Sequence, residues 1–213
     1  MASGEGETIE IIEADIIDST FSFEIADRNL ENYALPPEDP LGELSDFELG
    51  LRRFCYEHNQ RVIWEIGEIQ FTVFFDPDIC MLLEDRFPEQ IGQLEQGENI
   101  RIDFVESYEI TVILTHEGEQ LHCQLREFND QHNQYNYKLD KQQVLRELRT
   151  ILFGVMILAL KQGYVTKEDM YEFIKPAFSS PHESLTRENL EFVLQDFKLI
   201  RPAVKYGLEQ SGK

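Results

Sequence analysis

Positively charged residues are scarce in this chain. It has 213 residues, with 19 Lys and Arg against 41 Asp and Glu, and a net charge of −22 at pH 7. Nucleic acid and anionic membrane surfaces would repel such a chain, so neither is an expected partner. The shortage is also local: residues 1–139 hold 8 bases against 31 acids, a net charge of −23, whereas residues 140–201 hold 9 of each.

Cysteines are few and long apolar runs are absent. Cys55, Cys80 and Cys123 are odd in number and form no CxxC pair, which argues against a disulfide framework and predicts a cytoplasmic location. The longest apolar run, Ile151–Leu160, spans about 15 Å as a helix, half the thickness of the bilayer core. It therefore predicts a helix buried in protein, either against the sheet or against a second copy of the chain, and the oligomeric state stays open.

The pattern of apolar residues predicts an α+β fold. A small antiparallel sheet of hairpins carries packed helices, and a C-terminal unit of three helices follows. The predicted parts are an acidic N-terminal arm with some strand, a sheet domain, a polar linker, a helical unit and a tail, at residues 1–46, 47–128, 129–139, 140–201 and 202–213. Whether the sheet and the helical unit are one domain or two stays open.

Two hairpins follow from alternating apolar residues. A turn at Gly67-Glu68 puts six apolar residues on one face, pairing Val62 with Val73, Trp64 with Phe71 and Ile66 with Ile69. For the second hairpin, a turn at Glu117-Gly118 pairs Ile110 with Leu125, Val112 with Cys123 and Leu114 with Leu121. In the acidic arm, Phe21, Phe23 and Ile25 also alternate as in a strand.

Capping residues mark where helices begin. Ser45 with Glu48 forms a predicted capping box, and Asp140, Thr166 and Thr186 precede three further helical patterns. Asp76-Pro77-Asp78 is interpreted as the N-cap and first two positions of another helix. The alternative for Asp76 and Asp78 is a divalent cation site.

Other groups with chemical potential are better explained by structure. His116, His122 and Cys123 fall on two faces of the second hairpin, which prevents tetrahedral convergence on one metal ion. Cys55 and His58 are neighbours on an apolar helix face, where a structural cysteine is the expected interpretation. The chain has no P-loop, GxGxxG, GxSxG, HExxH or EF-hand pattern, so we expect neither a cofactor nor catalysis.

The charge asymmetry favours a non-catalytic module that binds a basic protein partner, in the manner of acidic inhibitors and immunity-type proteins that use electrostatic steering. The predicted contacts are acidic residues on outer faces and one aromatic anchor: Glu65, Glu68, Asp103, Glu106, Tyr108, Glu109, Glu117 and Glu119. One alternative is a metal-assisted hydrolase that uses Asp76 and Asp78, and another is an assembly factor or adaptor. A further interpretation is that the charge only keeps the protein soluble.

Overall fold

The computed structural model describes residues 20–26, 38–39, 41–104, 106–128 and 134–178. These residues form two antiparallel sheets with helices packed around them, an α+β arrangement. The first sheet contains β1 (Phe21–Ala26), β2 (Arg61–Ile66) and β3 (Ile69–Phe74), in that order. The second has the order β4 (Ile100–Phe104), β5 (Ile110–Glu117), β6 (Gln120–Glu127) and β7 (Gln134–Asp140).

The first hairpin has the predicted register. Val62 pairs with Val73, Trp64 with Phe71 and Ile66 with Ile69. Gly67 takes φ +60° in the turn, a conformation that glycine adopts without steric cost. Strand β1 is also confirmed, and it pairs with β2 so that Phe23 lies opposite Trp64.

The predicted register of the second hairpin is wrong by two residues. Leu114 pairs with Cys123, Val112 with Leu125, and the turn consists of Gly118 and Glu119. Gly118 has φ +70°, so glycine again occupies the first turn position, as in the first hairpin. A shift of two residues keeps every side chain on its face of the sheet, which is why apolar alternation alone could not detect the error.

The predicted linker is mostly a strand. Residues 129–133 lie outside the described residues, but Gln134–Asp140 forms β7 and pairs with β6 along its length. Tyr135, Tyr137 and Leu139 alternate towards the protein interior, whereas the residues between them are exposed. This period-2 pattern was present in the sequence, where its polar Asn and Gln neighbours obscured it.

The described part of the chain also contains five α-helices: α1 (Asp46–Glu57), α2 (Cys80–Glu84), α3 (Phe87–Glu95), α4 (Lys141–Lys161) and α5 (Lys167–Ile174). The capping box of Ser45 with Glu48 is confirmed, and Asp140 accepts a hydrogen bond from the Gln143 amide. The third predicted C-terminal helix, capped by Thr186, and residues 1–19 and 27–37 of the acidic arm lie outside the described residues.

Asp76-Pro77-Asp78 does not start a regular α-helix. Phe75–Ile79 is a π-helical turn in which Asp76 has extended angles, and α2 begins only at Cys80. The extended angles of Asp76 are those of an N-cap, and Asp78 lies in the first turn of this helical segment, as predicted; its buried side chain also accepts hydrogen bonds from the Phe74 and Ser107 amides.

Aromatic side chains fill the space between the two sheets. The Trp64 ring of β2 lies 5.3 Å from the Phe104 ring of β4, and the Phe71 ring of β3 lies 5.7 Å from it. At the other end of β2, a Cβ on Gly67 would lie 2.1 Å from the Tyr137 ring of β7. The first sheet thus lies across the inner face of the second.

Helix α4 packs against both sheets and α3. Most of Ile151–Leu160 is buried, and the Gln143 side chain donates to the Phe21 carbonyl of β1. Arg149 forms an ion pair with Glu95 of α3 at 2.7 Å. Among the described residues, no helix has the length and apolar character needed to cross a bilayer.

Candidate partner-binding surface

A short loop between β4 and β5 is held in place by a buried carboxylate. Asp78 is 2 % exposed and lies in the π-helical turn after β3. Its Oδ1 accepts from the Ser107 amide at 3.3 Å, and its Oδ2 accepts from the Ser107 hydroxyl and from the Phe74 amide. Asp78 therefore fixes loop residues 106–109 against the end of β3, a preorganised arrangement that reduces the entropy cost of binding.

This loop presents an exposed tyrosine. Tyr108 is 42 % exposed, and its ring lies 5.5 Å from the Phe71 ring of the buried aromatic cluster. One side of the tyrosine is thus supported by the core while the rest faces solvent. A rigid aromatic side chain in this position loses little conformational entropy when a partner covers it.

A second exposed aromatic residue lies at the same end of the four-stranded sheet. The Phe128 amide donates to the Glu109 carbonyl at 2.9 Å, which extends the pairing of β5 with β6 by one step. The Phe128 side chain is 45 % exposed. Single exposed apolar side chains are ordinary, whereas two at the same end of one sheet make that end a candidate interaction site.

Two uncompensated carboxylates flank the aromatic residues. Glu106 and Glu109 are exposed, and within the described ranges neither forms an ion pair. Glu109 has φ +54°, a conformation that costs a residue with a Cβ about 1 kcal/mol or more. We refer to Glu106, Tyr108, Glu109 and Phe128 as the Tyr108 surface.

The other predicted contact residues lie elsewhere. Glu117 ends β5 and Glu119 lies in the β5–β6 turn, at the opposite end of the second sheet. Strand β5 has 8 residues, so these two acids lie about 26 Å from the Tyr108 surface along the strand. Glu65 is half-buried on the outer face of the first sheet, and Glu68 lies in the β2–β3 turn beside Tyr137.

Asp103 does not contribute free negative charge. Both of its carboxylate oxygens accept from Arg101 Nε at 2.9 Å, and Oδ1 also accepts from the Thr111 hydroxyl. These three residues share the outer face of the second sheet with the exposed bases Arg126 and Lys138. Arg101 therefore balances the negative charge of Asp103 locally, and the role of Asp103 as a partner contact stays a prediction.

The described residues offer no constellation for binding a metal ion. No group of three or more His, Cys, Asp or Glu side chains among them could hold an ion. The Asp78 oxygens are occupied by protein donors, and Asn59 Oδ1 accepts from the Asp76 amide. His58 stacks on Phe54 at a ring distance of 5.5 Å, which accounts for it structurally.

Two features of the Tyr108 surface were missed by sequence reasoning. Phe128 directly follows β6, and the only sign of its exposure in the sequence is that it falls out of phase with the buried Leu121, Cys123 and Leu125. Asp78 and Ser107 are 29 positions apart, and only the tertiary fold brings them together. Comparisons of this chain with protein-family models, curated proteins and solved structures found no match.

Proposed function

We propose that the protein is a non-catalytic binding module that docks a positively charged protein partner on the Tyr108 surface. The observation that carries this proposal is the combination of two exposed aromatic side chains, Tyr108 and Phe128, with Glu106 and Glu109 at one end of the second sheet. Aromatic anchors provide affinity at interfaces, and complementary charge speeds encounter and selects the partner.

The chemistry of the surface indicates which partner groups fit it. An arginine side chain can stack on the ring of Tyr108 or Phe128 while its guanidinium donates to a neighbouring carboxylate. The net charge of −22 acts over a longer range and attracts a basic protein before contact. The favoured partner surface therefore carries arginine residues around an apolar centre.

Two matched double variants test whether binding depends on the Tyr108 surface or on the overall negative charge of the protein. Glu106→Gln/Glu109→Gln and Glu117→Gln/Glu119→Gln remove the same charge from opposite ends of the same sheet. Partners are first captured on the immobilised full chain from an extract of the source cells at low salt and eluted with high salt. The dissociation constant of each purified basic partner is then measured for the wild type and both variants.

The proposal expects unequal effects. The Glu106/Glu109 variant should bind about tenfold more weakly, equivalent to about 1.4 kcal/mol, whereas the Glu117/Glu119 variant should lose less than about threefold. Tyr108→Ala should weaken binding by about tenfold or more, with little change in the salt dependence. Equal losses in the two double variants would indicate general electrostatic attraction and overturn the assignment of the surface. Binding that does not respond to salt would overturn the proposed function itself.

A further inference from the structure

Strand β7 forms one edge of the second sheet, and part of its backbone faces away from β6. The ladder between the two strands continues beyond β7, where the Lys141 amide donates to the Glu119 carbonyl at 3.2 Å. Because bonded pairs alternate along an antiparallel ladder, the register assigns the odd-numbered residues of β7 to bonds with β6. The amides and carbonyls of Asn136 and Lys138 therefore point to the open edge of the sheet.

At Asn136 and Lys138 this edge has no hydrogen-bonding partner among the described residues. The hydrogen bond that Asn136 accepts goes to its side chain, from Gln124 of β6 at 3.3 Å, and not to its backbone. Within the described ranges, no other element donates to or accepts from the backbone of either residue. Two amides and two carbonyls are thus available to a further strand.

The other sheet edges are each blocked in part. On β3, the Phe74 amide donates to the Asp78 carboxylate at 3.1 Å. On β1, the Phe21 carbonyl accepts from the Gln143 side chain at 3.5 Å. Strand β4 has only 5 residues, and its exposed side chains are charged, whereas β7 has 7 residues. Short edges and occupied edge groups prevent pairing with another chain, so β7 is the edge best suited to it.

The composition of β7 suits a second copy of the same strand. Tyr135 and Tyr137 are half-buried on its inner face, and the residues between them are polar and exposed. Its charged residues, Lys138 and Asp140, cancel each other in a chain whose net charge is −22. The exposed base Arg126 lies on the same outer face, in β6. This edge therefore lacks the excess of carboxylates that would repel a second copy.

We propose that two copies of the chain pair through β7, antiparallel about a two-fold axis, and join their four-stranded sheets into one sheet of eight strands. Asn136 of each copy lies opposite Lys138 of the other, and their amides and carbonyls form four hydrogen bonds. On the inner face, Tyr137 lies opposite its counterpart. A shift of two residues would place Lys138 opposite Lys138, where like charges repel, and the opposite shift pairs fewer residues of β7.

The antiparallel arrangement leaves the proposed partner site uncovered. Gln134 lies at the Tyr108 end of the sheet and faces Asp140 of the second copy, so the two Tyr108 surfaces lie at opposite ends of the joined sheet. Salt distinguishes the two kinds of binding. Two chains of charge −22 repel each other, and salt screens this repulsion, so dimerisation should strengthen with salt while binding of a basic partner weakens.

Sedimentation velocity of the full chain, over a range of concentrations at low and moderate salt, measures the association. We expect a monomer–dimer equilibrium whose dissociation constant falls as salt is raised. Hydrogen exchange followed by NMR locates the interface. The Asn136 and Lys138 amides should exchange about tenfold more slowly or less as the dimer forms, whereas the Tyr135 and Tyr137 amides, bonded to β6, should be slow in both states.

Two substitutions at one position provide a matched control. Asn136→Pro removes an amide that points to the open edge and leaves the ladder with β6 intact, since proline is tolerated in edge strands. It removes two of the four hydrogen bonds between the copies and should weaken dimerisation by about tenfold or more. Asn136→Ala keeps the amide and should dimerise within about threefold of the wild type.

Three results would overturn the proposal. One is a protein that stays monomeric at every concentration and salt, and another is an equal effect of the two substitutions on dimerisation. The third is slow exchange of the Asn136 and Lys138 amides in the monomer, which would show that another part of the chain occupies the edge. The exchange rates of the wild type decide the question even if Asn136→Pro does not fold, and none of these results depends on a basic partner.

Discussion

Carboxylates serve different purposes in two regions of this protein. Where α3 meets α4, the Glu95 side chain binds Arg149 at 2.7 Å, and the Glu95 carbonyl accepts from Lys141 Nζ at 2.9 Å. The two ends of β5 differ from this junction. The exposed carboxylates there form no ion pair within the described ranges; they belong to Glu106, Glu109, Glu117 and Glu119. The first region uses charge to hold elements together, and the second leaves charge on the surface.

The comparison indicates which acidic residues the fold requires. Charges at the helix junction are only partly exposed and are matched by neighbouring groups, so their removal should lower stability. Charges at the strand ends have no such matching groups, and removing them should leave stability nearly unchanged or raise it.

A close backbone contact also holds α3 against the short 3-10 turn Lys175–Ala177 that follows α5. A Cβ on Gly92 of α3 would lie 2.2 Å from the Pro176 carbonyl oxygen, so the two segments touch only because this residue is glycine. Gly92→Ala should therefore lower the free energy of unfolding by about 3 kcal/mol, measured by urea denaturation. Gln93→Ala, an exposed neighbour in the same helix, is the control and should change stability by less than about 0.5 kcal/mol. Equal effects would show that the junction is not tightly packed.

The second prediction compares two arginines of α4. The Arg149 side chain is 16 % exposed, binds Glu95 and donates to the Ala177 carbonyl at 3.0 Å. The Arg146 side chain is 69 % exposed and lies 3.9 Å from Glu147. Arg149→Ala should cost about 2 kcal/mol, because Glu95 loses an ion pair and the buried Ala177 carbonyl loses a donor, whereas Arg146→Ala should cost less than about 0.5 kcal/mol. A similar cost for both, measured by thermal denaturation, would remove the distinction between paired and surface charge.

Local sequence patterns predicted most of the fold in these regions. The strands of the first hairpin and the capping box at Ser45 follow from alternation and from residue types three positions apart. The register of the second hairpin did not follow, because a shift of two residues satisfies the same alternation. Turn chemistry would have resolved it, since Gly67-Glu68 and Gly118-Glu119 are the same dipeptide in the same positions.

The candidate site could be predicted only in part. Tyr108, Glu106 and Glu109 were proposed as contacts from sequence, and they share one loop. Their separation from Glu117 and Glu119 also followed from the predicted second hairpin, because the two groups lie at opposite ends of one strand. The compensation of Asp103 by Arg101 was visible in principle, because residues two apart on a strand lie on the same face.

A third prediction concerns pH, at the contact between α1 and the segment after α4. The Tyr164 hydroxyl donates to Glu57, and this hydrogen bond, with burial, raises the pKa of Tyr164 to about 12. A pKa raised above the unfolded value of about 10 means that the contribution to stability is complete below about pH 10 and is lost as pH rises towards 12. The free energy of unfolding of Tyr164→Phe, followed by circular dichroism, should fall less steeply than that of the wild type between about pH 10 and pH 12.

The control for this contact is Glu57→Gln, which keeps a hydrogen-bond acceptor but removes the negative charge. In that variant the Tyr164 pKa should fall, as measured by absorbance at high pH after subtraction of the Tyr164→Phe spectrum. An unchanged tyrosine titration would show that Glu57 does not stabilise the protonated phenol. The charge of Glu57 in α1 would then be unnecessary for the fold, like the charges at the ends of β5.

The smallest predicted effect has opposite signs for stability and binding. Glu109 has φ +54°, so Glu109→Gly relieves steric strain and should raise the free energy of unfolding by about 0.5 kcal/mol. The same change removes a carboxylate from the Tyr108 surface and should weaken binding of a basic partner. Glu119→Gly makes an identical charge change where no positive φ favours glycine, so it should lower stability slightly and leave binding almost unaffected. If Glu109→Gly instead lowered stability, Glu109 would be one of the carboxylates that the fold requires, and the difference between the two regions would not extend to the Tyr108 surface.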